Sequence, residues 1–340
     1  MMDVSNLQDL AVAGLQTLGK AGMGLVGVLL APGSAMSLTS LLAAGLVGGL
    51  FLLLRRGPGK RPTPLKVLVR ALLPRRFWKS RSGRTDIGFA LFNILIFGLL
   101  FGWAIASQAV VSGWLVEGLT ALFGRGPGSL IGPVGALCVG TVLLFLTGEL
   151  AYWLHHFLCH RVGWLWEFHK VHHSAEHLSP LTNLRVHPIE GVLFANMLAV
   201  MMGTMSALLT WTLGEPKVLL TVWDRNVIAL AGLYLVQHLQ HSHLWITFPG
   251  PFGKIFYSPA HHQIHHSTNP AHFGSNLGSL TTLWDWLFGT LRTPERENMR
   301  LVFGLEPGES KHDTVLEGMI LPVARAARSL RPARPLEAAE

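Results

Sequence analysis

Histidine is the residue type whose placement in this chain most strongly suggests chemistry. The chain has 17 histidines, and all except His312 lie between residues 155 and 272. The segment WLWEFHKVHHSAEHL (164–178) holds four of them, with His169 the first and His177 the last. Imidazole nitrogen is a common ligand of iron, zinc, copper and nickel ions. The histidines therefore indicate metal binding as the first possibility to consider.

Two of the histidine clusters have the spacing that places side chains on one face of a helix. In YWLHHFLCH, His156 and His160 are four residues apart, so they can bind one metal together or two adjacent metals separately. In HKVHH, His169 and His172 are three residues apart and share a face. His173 must point elsewhere, which predicts that His172 and His173 serve different metals.

Two more histidine motifs lie further along the chain. HHQIHH repeats the spacing of HKVHH, and HLQHSH follows the last apolar segment. The candidate ligands in these motifs are His262, His265 and His266, and His238, His241 and His243. A single helical pair of histidines is more often a packing or edge feature than a metal site. Several clusters together favour metal binding.

The number of candidate ligands predicts more than one metal ion. The histidines with helical ligand spacing number two in YWLHHFLCH, three in HKVHH and three in HHQIHH. With at least one from HLQHSH, they give about nine imidazoles. A four-coordinate zinc site uses at most about four protein ligands, so nine imidazoles suit two metals. Imidazole selects Fe, Zn, Cu or Ni over Mg or Ca. Two redox metals beside a bilayer are what oxygen chemistry on an inert lipid C–H bond requires.

Other polar residues near the clusters are candidates for additional ligands or for hydrogen bonds to the ligands. The histidines in this class are His155, His187, His238, His261 and His272. The carboxylates are Glu149, Glu167, Glu176, Glu190 and Asp285, for most of which we expect solvation or a salt bridge.

Long apolar segments must position these residues. Half of the residues are hydrophobic, only 14% are charged, and the mean hydropathy is +0.40. Apolar segments at 37–54, 87–111, 130–148, 191–214 and 218–236 each reach the roughly 20 residues that a bilayer span requires. The last is the weakest because it contains Asp224 and Arg225. Residues 9–30 form a further span or a surface helix. We therefore predict an all-α integral membrane protein, a bundle of about four to six spans.

The distribution of positive charge predicts how the bundle is oriented. Residues 55–84 contain eleven Lys and Arg and no acidic residue, within a net charge of +8. Such a run also suggests nucleic acid, but its position between two spans favours a cytoplasmic loop beside anionic lipids. All the histidine clusters then fall on the cytoplasmic face, where they form a metal-binding cap. We expect a bacterial inner membrane or its equivalent.

The chain divides into three regions without a linker or an internal repeat. Residues 1–84 hold the N-terminal membrane segments and the basic loop, 85–305 the catalytic membrane domain, and 306–340 a polar tail. The tail contains one amphipathic stretch at 314–330, which we expect to cover the cap or to rest on the membrane. The two cysteines, Cys138 and Cys159, are not expected to form a disulfide.

The motifs together resemble those of the fatty acid hydroxylase and sterol desaturase superfamily, which is marked by HxxxH, HxxHH and HxxHH boxes. LWEFHKVHHSAE, TNLRVHPIE, SPAHHQIHHSTNPAHFGSNLG and LWDWLFGTL carry the resemblance, which extends from about residue 84 to about 293. His155 and His261 are additions to the box pattern. The resemblance implies that the box residues bind the metals, and His241 and His243 match an intermediate histidine element. The implied ligands are His156, His160, His169, His172, His173, His241, His243, His262, His265 and His266.

The resemblance also implies an activity: hydroxylation or desaturation of a membrane lipid by two iron ions and O2. The chain has no GxGxxG loop and no CxxCH motif, so electrons must come from a separate reductase or ferredoxin-type donor. A non-redox zinc enzyme that acts on lipids, or another metal-binding membrane protein, is the alternative. Transport fits poorly, because the clusters do not follow the spans.

Overall fold

The fold was analysed in a computed structural model that describes residues 26–55, 64–72, 74–128, 131–214, 218–248, 250–306, 308–309 and 312–330. Most of the predicted stretch 9–30 and part of the basic run 55–84 lie outside these residues. The α-helices are α1 Leu38–Leu54, α2 Leu65–Leu72, α3 Arg75–Lys79, α4 Arg81–Leu95, α5 Phe97–Phe101, α6 Gln108–Phe123, α7 Gly132–Arg161, α8 Gly163–His173, α9 Pro188–Leu213, α10 Val227–Gly232, α11 His238–Gln240, α12 Pro259–His265, α13 Leu283–Leu287 and α14 Val315–Ser329.

Shorter elements connect these helices. A π-helical turn, Leu233–Gln237, joins α10 to α11. The 3₁₀ turns are Gly102–Ala104, Pro180–Leu184, Gly250–Lys254 and Pro270–His272. One antiparallel pair of strands, β1 Thr221–Val222 and β2 Arg225–Asn226, is present in the described part of the chain. The prediction of a helical protein is therefore confirmed.

Three helical segments among the described residues are long and apolar enough to cross a membrane: Phe97–Phe123, Gly132–Arg161 and Pro188–Leu213. Two shorter apolar helices, Leu38–Leu54 and Val227–Gln240, accompany them. The structure supports a helical membrane protein, but it does not confirm the predicted span count or orientation.

The predicted apolar segment 218–236 is not one continuous helix. Its first part forms the β1–β2 hairpin, with Trp223 and Asp224 in the left-handed region at φ of 50° and 58°. Two central residues of positive φ are characteristic of a tight hairpin turn. Because this hairpin occupies residues that a bilayer span would need, the helix is shorter than the apolar run predicts.

The predicted span 87–111 is also interrupted. Helix α4 ends at Leu95, α5 ends at Phe101 directly before the Gly102–Ala104 turn, and α6 begins at Gln108. The Asn196 side chain lies at this interruption: Ala106 N–H donates to its Oδ1 at 2.9 Å, and its Nδ2 donates to Ala104 O at 2.9 Å. A side chain of α9 thus satisfies backbone groups that the helix break leaves open.

Helix α7 connects the two ends of the bundle. Near its start, the Thr141 backbone carbonyl accepts from Asn226 Nδ2 at 2.8 Å, beside the hairpin. Near its end it carries His156 and His160. Since α7 has 30 residues, its histidines lie about 20 Å from the hairpin end.

The cap around α8 is fixed by one buried cation. Arg185, 1% exposed, donates to Asp86 Oδ1 at 3.0 Å, to Val171 O at 2.9 Å and to His312 O at 3.1 Å. It therefore connects α4, α8 and the C-terminal segment. A buried guanidinium paired in this way makes α8 rigid, because removing either partner would leave a buried charge unpaired.

The predicted amphipathic stretch 314–330 forms α14. Thr314 caps the helix by accepting from Glu317 N–H at 3.2 Å, and the Glu317 carboxylate accepts in return from Thr314 N–H at 3.1 Å. Gly318 of α14 lies against Phe89 and Val171, so the helix packs on the outer side of α8.

Candidate metal centre

Nine histidines meet in two adjacent groups where α7, α8 and α12 converge. In each group, the nitrogen atoms that face one another lie within 4.8 Å. We call the first the five-histidine group; its members are His156, His160, His169, His173 and His265. We call the second the four-histidine group; its members are His172, His241, His262 and His266.

Each HxxHH motif supplies both groups. In α8, His169 and His173 join the five-histidine group, whereas His172 joins the other. In α12 the distribution is reversed, because only the middle histidine, His265, belongs to the five-histidine group. In each motif, the two histidines four residues apart lie in the same group. The histidine between them, three residues after the first, lies in the other group. His172 and His173, which were predicted to serve different metals, lie in different groups, and His169, which shares a helical face with His172, lies in the group of His173.

The helical spacing explains this distribution. On a helix, the side chains at i+3 and i+4 both lie near the face of residue i. Seen along the helix axis, one points to the left of residue i and the other to the right. The choice between them depends on which neighbouring helix each side chain meets. His173 Nε2 lies 3.2 Å from His169 Nε2 and 3.1 Å from His265 Nε2.

The nitrogens are too close together to be explained by hydrogen bonds alone. His241 Nε2 lies 3.1 Å from His172 Nε2, 3.1 Å from His266 Nε2 and 2.9 Å from His262 Nε2. The Nε2 atom of a neutral imidazole carries either one hydrogen or one lone pair, so these contacts cannot all be hydrogen bonds. Lone pairs that converge in this way are what a metal cation requires.

Five of the rings are also held in the neutral form that binds metals. Burial holds the pKa of His172 and of His265 at about 3. Burial, followed by the neighbouring rings, holds the pKa of His241, His262 and His266 well below the ordinary value. Neutral imidazole offers a lone pair to a cation, whereas imidazolium does not.

Three rings of the five-histidine group are oriented by acceptors behind them. His169 Nδ1 donates to Glu190 Oε1 at 2.7 Å, His156 Nδ1 to Leu277 O at 2.9 Å and His265 Nδ1 to Ser275 O at 2.9 Å. A proton fixed on Nδ1 leaves the Nε2 lone pair directed into the group. His156 Nε2 is buried and has no hydrogen-bond partner among the described residues. The donor set therefore fits a metal ion.

Two buried carboxylates hold the backbone segment that supplies these carbonyls. Asp285 accepts from Leu277 N–H and from Gly278 N–H, both at 2.8 Å. Glu149 accepts from Leu280 N–H at 2.7 Å and from Thr281 N–H at 2.9 Å. Both carboxylates thus act on the ligand histidines through the segment 275–281.

His243 is the predicted ligand that lies outside both groups. Its Nε2 donates to Ala71 O at 2.6 Å, and its side chain is exposed. The other nine predicted ligands lie in the two groups. His241, two residues earlier, reaches the four-histidine group where helix α11 ends, with His241 at φ −97° and ψ 66°.

The additional candidates have varied surroundings. His155 forms a third cluster with Cys159 and Glu190, and its Nε2 lies 3.9 Å from the Glu190 carboxylate. His187 Nδ1 accepts from Ile189 N–H at the start of α9, and its Nε2 donates to Met319 O at 3.0 Å.

The remaining candidates, which lie outside both groups, are buried. His238 Nε2 lies 3.0 Å from Ser40 Oγ, and His261 Nδ1 lies 2.8 Å from Ser258 Oγ. His272 is 3% exposed, beside the segment that supplies Ser275.

Two features of the site were not found from the sequence. Arg185 was not identified, although a lone cation in the motif TNLRVHPIE is a signal of pairing. The carbonyls of Ser275 and Leu277 carry no side-chain signal, and only the Asn276-containing SNLGS run suggests a special backbone. Asn276 has φ of 56°, in the left-handed region.

Comparisons with known proteins agree with this arrangement. The family described as fatty acid hydroxylase matches residues 141–290. Alkylglycerol monooxygenase of Danio rerio is 28% identical over 163 residues, 48% of this chain and 32% of that enzyme. The ornithine lipid hydroxylase OlsE of Rhizobium tropici is 31% identical over 155 residues, 46% of this chain and 42% of that enzyme. No solved structure matches.

The fold and the site together define a class of protein: a helical membrane protein whose histidine motifs meet in two adjacent groups. Delta(7)-sterol-C5(6)-desaturase of Nicotiana tabacum is 25% identical over 209 residues, 58% of this chain and 65% of that enzyme. The part of the chain that matches the fatty acid hydroxylase family, residues 141–290, contains all nine histidines of the two groups. The chain spans about a third of the length of the alkylglycerol monooxygenases that it matches.

Proposed function

We propose that the chain is a membrane di-iron oxygenase that uses O2 to hydroxylate or desaturate a membrane lipid. The observation that carries the proposal is the pair of adjacent groups of nine histidines, eight of which are buried. The relatives of the chain are named as a monooxygenase, a hydroxylase and a desaturase. The lipids in those names are alkylglycerol, ornithine lipid and sterol. Those substrates share a place in membranes, so we propose a membrane lipid as the substrate class.

The five-histidine group would hold one iron and the four-histidine group the other. We do not include His243, because its Nε2 donates to a backbone carbonyl outside both groups. Two irons held by these nitrogens would supply the reduction of O2 and the removal of hydrogen from a C–H bond. Hydroxylation and desaturation share this chemistry, and the position of the bound lipid chain decides between them.

The chain's own residues orient the ligands and exclude water. Glu190 accepts the Nδ1 proton of His169, and Leu277 and Ser275 accept those of His156 and His265. Most of the ligand histidines are less than 8% exposed, so bulk water does not reach their ring nitrogens. Protons from water therefore do not compete with a metal for these nitrogens. A dry, preorganised donor set of this kind tunes the metals and protects the reaction from side products.

The catalytic region, residues 85–305, would face the cytoplasm through its histidine-bearing cap. The support is the basic run 55–84, whose eleven Lys and Arg favour the cytoplasmic side. Because the sequence has no dinucleotide or haem-attachment motif, a separate reductase or ferredoxin-type protein would deliver the electrons.

Metal content and oxygen consumption test this function directly. The protein would be purified in detergent from iron-replete cells, and iron and zinc per chain would be measured. We expect about two irons per chain, as the two groups suggest. With a reductant, a mixed membrane lipid extract and O2, we expect oxygen uptake together with a new hydroxyl group or double bond in one lipid class.

Other outcomes would contradict the proposal in distinguishable ways. Two zinc ions that persist through iron supplementation, without oxygen uptake, would favour a non-redox lipid enzyme. A folded protein with almost no metal would overturn both functions. The double variant His262→Ala/His265→Ala, which lacks one ligand in each group, is the matched control. Any oxygen uptake that it retains does not depend on the two groups.

A further inference from the structure

An exposed apolar surface lies on the C-terminal part of the chain, outside the candidate metal centre. We call it the aromatic platform; its residues are Phe252, Ile255, Phe256, Trp286, Leu287 and Phe288, and they are 40–67% exposed. They come from two short segments, the turn Gly250–Lys254 with the residues after it and helix α13. Contiguous exposed aromatic and aliphatic residues of this kind mark an interaction surface.

The two segments of the platform are joined by backbone hydrogen bonds. Thr282 N–H donates to Ile255 O at 3.0 Å, and Tyr257 N–H donates to Leu280 O at 2.9 Å. Phe256 and Thr281 form an antiparallel bridge. The exposed side chains are therefore carried by a fixed backbone.

The contacts with α7 give the depth of the platform relative to the bundle. Phe288 stacks on Trp153 with ring centroids 4.3 Å apart, and the segment just before α13 binds the Glu149 carboxylate. Glu149 is seven residues before His156 on α7, so it lies about 10 Å from that histidine towards the middle of the bundle. The platform thus stands beside a membrane-crossing helix, not beyond its end.

Two exposed cations, Lys254 and Arg161, lie near the platform. Lys254 is exposed within the first segment, and Arg161 lies over the ring of Phe157 at 5.3 Å. Phe157 in turn stacks on Trp153 at 5.0 Å. Residues 248–258 contain no acidic residue, and Asp285 of α13 is buried. Apolar rings beside exposed cations match a lipid interface, with acyl chains for the rings and phosphates for the cations.

We propose that the aromatic platform inserts into the headgroup–acyl boundary of the membrane leaflet on the histidine side. It does so without crossing the bilayer, as an additional anchor for the region that carries α12. The occupant is lipid, because Phe288 of the platform packs on Trp153 of α7, a helix long and apolar enough to cross a membrane, whose Val139 and Val142 are 43% and 45% exposed. The proposal concerns the membrane position of this surface and does not depend on which metals bind.

Spin labels on the full chain in lipid nanodiscs test the proposal. Leu287→Cys and Phe256→Cys would each be introduced in a Cys138→Ser background, and the nanodiscs would contain phosphatidylcholine and phosphatidylglycerol. Collisions of the label with O2, which concentrates in lipid, are compared with collisions with chromium oxalate, which stays in water. We expect both labels to favour O2 and to lie about 5–10 Å below the phosphates.

Two matched positions calibrate the measurement. Val142→Cys on α7 gives the lipid reference, and Arg300→Cys on the exposed polar loop gives the aqueous reference. Platform labels that favour chromium oxalate, like the label at residue 300, would overturn the proposal. Labels shielded from both reagents would also overturn it, because they would indicate a protein cover such as a second copy. If Leu287→Cys fails to fold, Trp286→Cys gives the same comparison.

Discussion

The five-histidine and four-histidine groups share the HxxHH motifs of α8 and α12 but are supported differently. In the first, His156, His169 and His265 each donate from Nδ1 to a carbonyl or a carboxylate. In the second, the Nδ1 atoms of His241 and His262 are buried and have no hydrogen-bond partner among the described residues. Two sites that look alike in the sequence therefore differ in how firmly the protein orients their ligands.

The difference suggests unequal roles for the two positions. Acceptors behind a ligand ring fix its tautomer and raise its basicity, and their removal typically weakens metal binding about 10–100-fold. We therefore infer that the five-histidine group holds its metal more tightly. The four-histidine group, in which Nδ1 of His241, His262 and His266 has no acceptor among the described residues, is the better candidate for changes in coordination during turnover.

Removing one ligand from each group gives the largest expected effect. His265→Ala and His262→Ala should each lower the metal content towards about one ion per chain and lower activity at least about 100-fold, because each deletes a ligand from one group only. Metal analysis of the purified variants checks this. His177→Ala is the matched control. Two metals retained by His262→Ala would break the assignment of the second group.

Glu190→Gln is expected to affect only the five-histidine group. The amide can still accept a hydrogen bond from His169 Nδ1, but it has no charge to strengthen that bond. We expect affinity for the first metal to fall about 10–100-fold and the second site to change little. Competition with a chelator measures both affinities. The exposed Glu297→Gln is the control, and equal weakening of both sites would contradict the inferred asymmetry.

Asp285→Asn should have an intermediate effect on the same group. The amide cannot accept from all of the Asp285 donors, so at least one buried N–H loses its partner at a cost of about 1–3 kcal/mol. We expect a thermal midpoint several degrees lower and weaker metal binding by the five-histidine group, because Leu277 O moves relative to His156. Asp313→Asn, at an exposed pair with Arg81, is the control. An unchanged midpoint would show that Asp285 does not support the segment.

His243→Ala is expected to have the smallest effect. Its ring bonds to Ala71 O and lies outside both groups, so metal content should remain at about two ions per chain. His241→Ala, two residues earlier, should lose one ion. Metal analysis of the pair checks which of them is a ligand. Loss of a metal from His243→Ala would mean that the four-histidine group has a fifth member.

The helical spacing of the histidines was enough to predict metal binding from the sequence, but not the division between the groups. His172 and His173 both lie near the face of His169, and only the neighbouring α7 and α12 decide which one meets it. The supporting carbonyls of Ser275 and Leu277 were not predictable, because every residue has a carbonyl. Glu190 and Asp285 were noticed as candidates, but their burial was not evident from the sequence.

The sequence predicted that the apolar segments form helices, but it did not predict where those helices begin, end or break. The start of 218–236 is apolar enough for a span, yet Trp223 and Asp224 form a hairpin turn. The interruption after α5 includes Gly102 and is also the place where Asn196, 90 residues away from Ala106, bonds to the backbone. Hydropathy reports the solvent that a segment prefers, whereas helix breaks depend on partners distant in the sequence.

The crossing of both HxxHH motifs between the two groups has a consequence for biosynthesis. His173 and His265 face each other across 92 positions of sequence, so the centre cannot form until α12 has been synthesised. By then the ribosome has already delivered α7 and α9 for insertion. A metal bound in either group would close a chain loop tens of residues long, as a disulfide would, and would favour the assembled state by restricting the open chain. On the proposed function, metal loading would then be a late step that locks a bundle already in the bilayer.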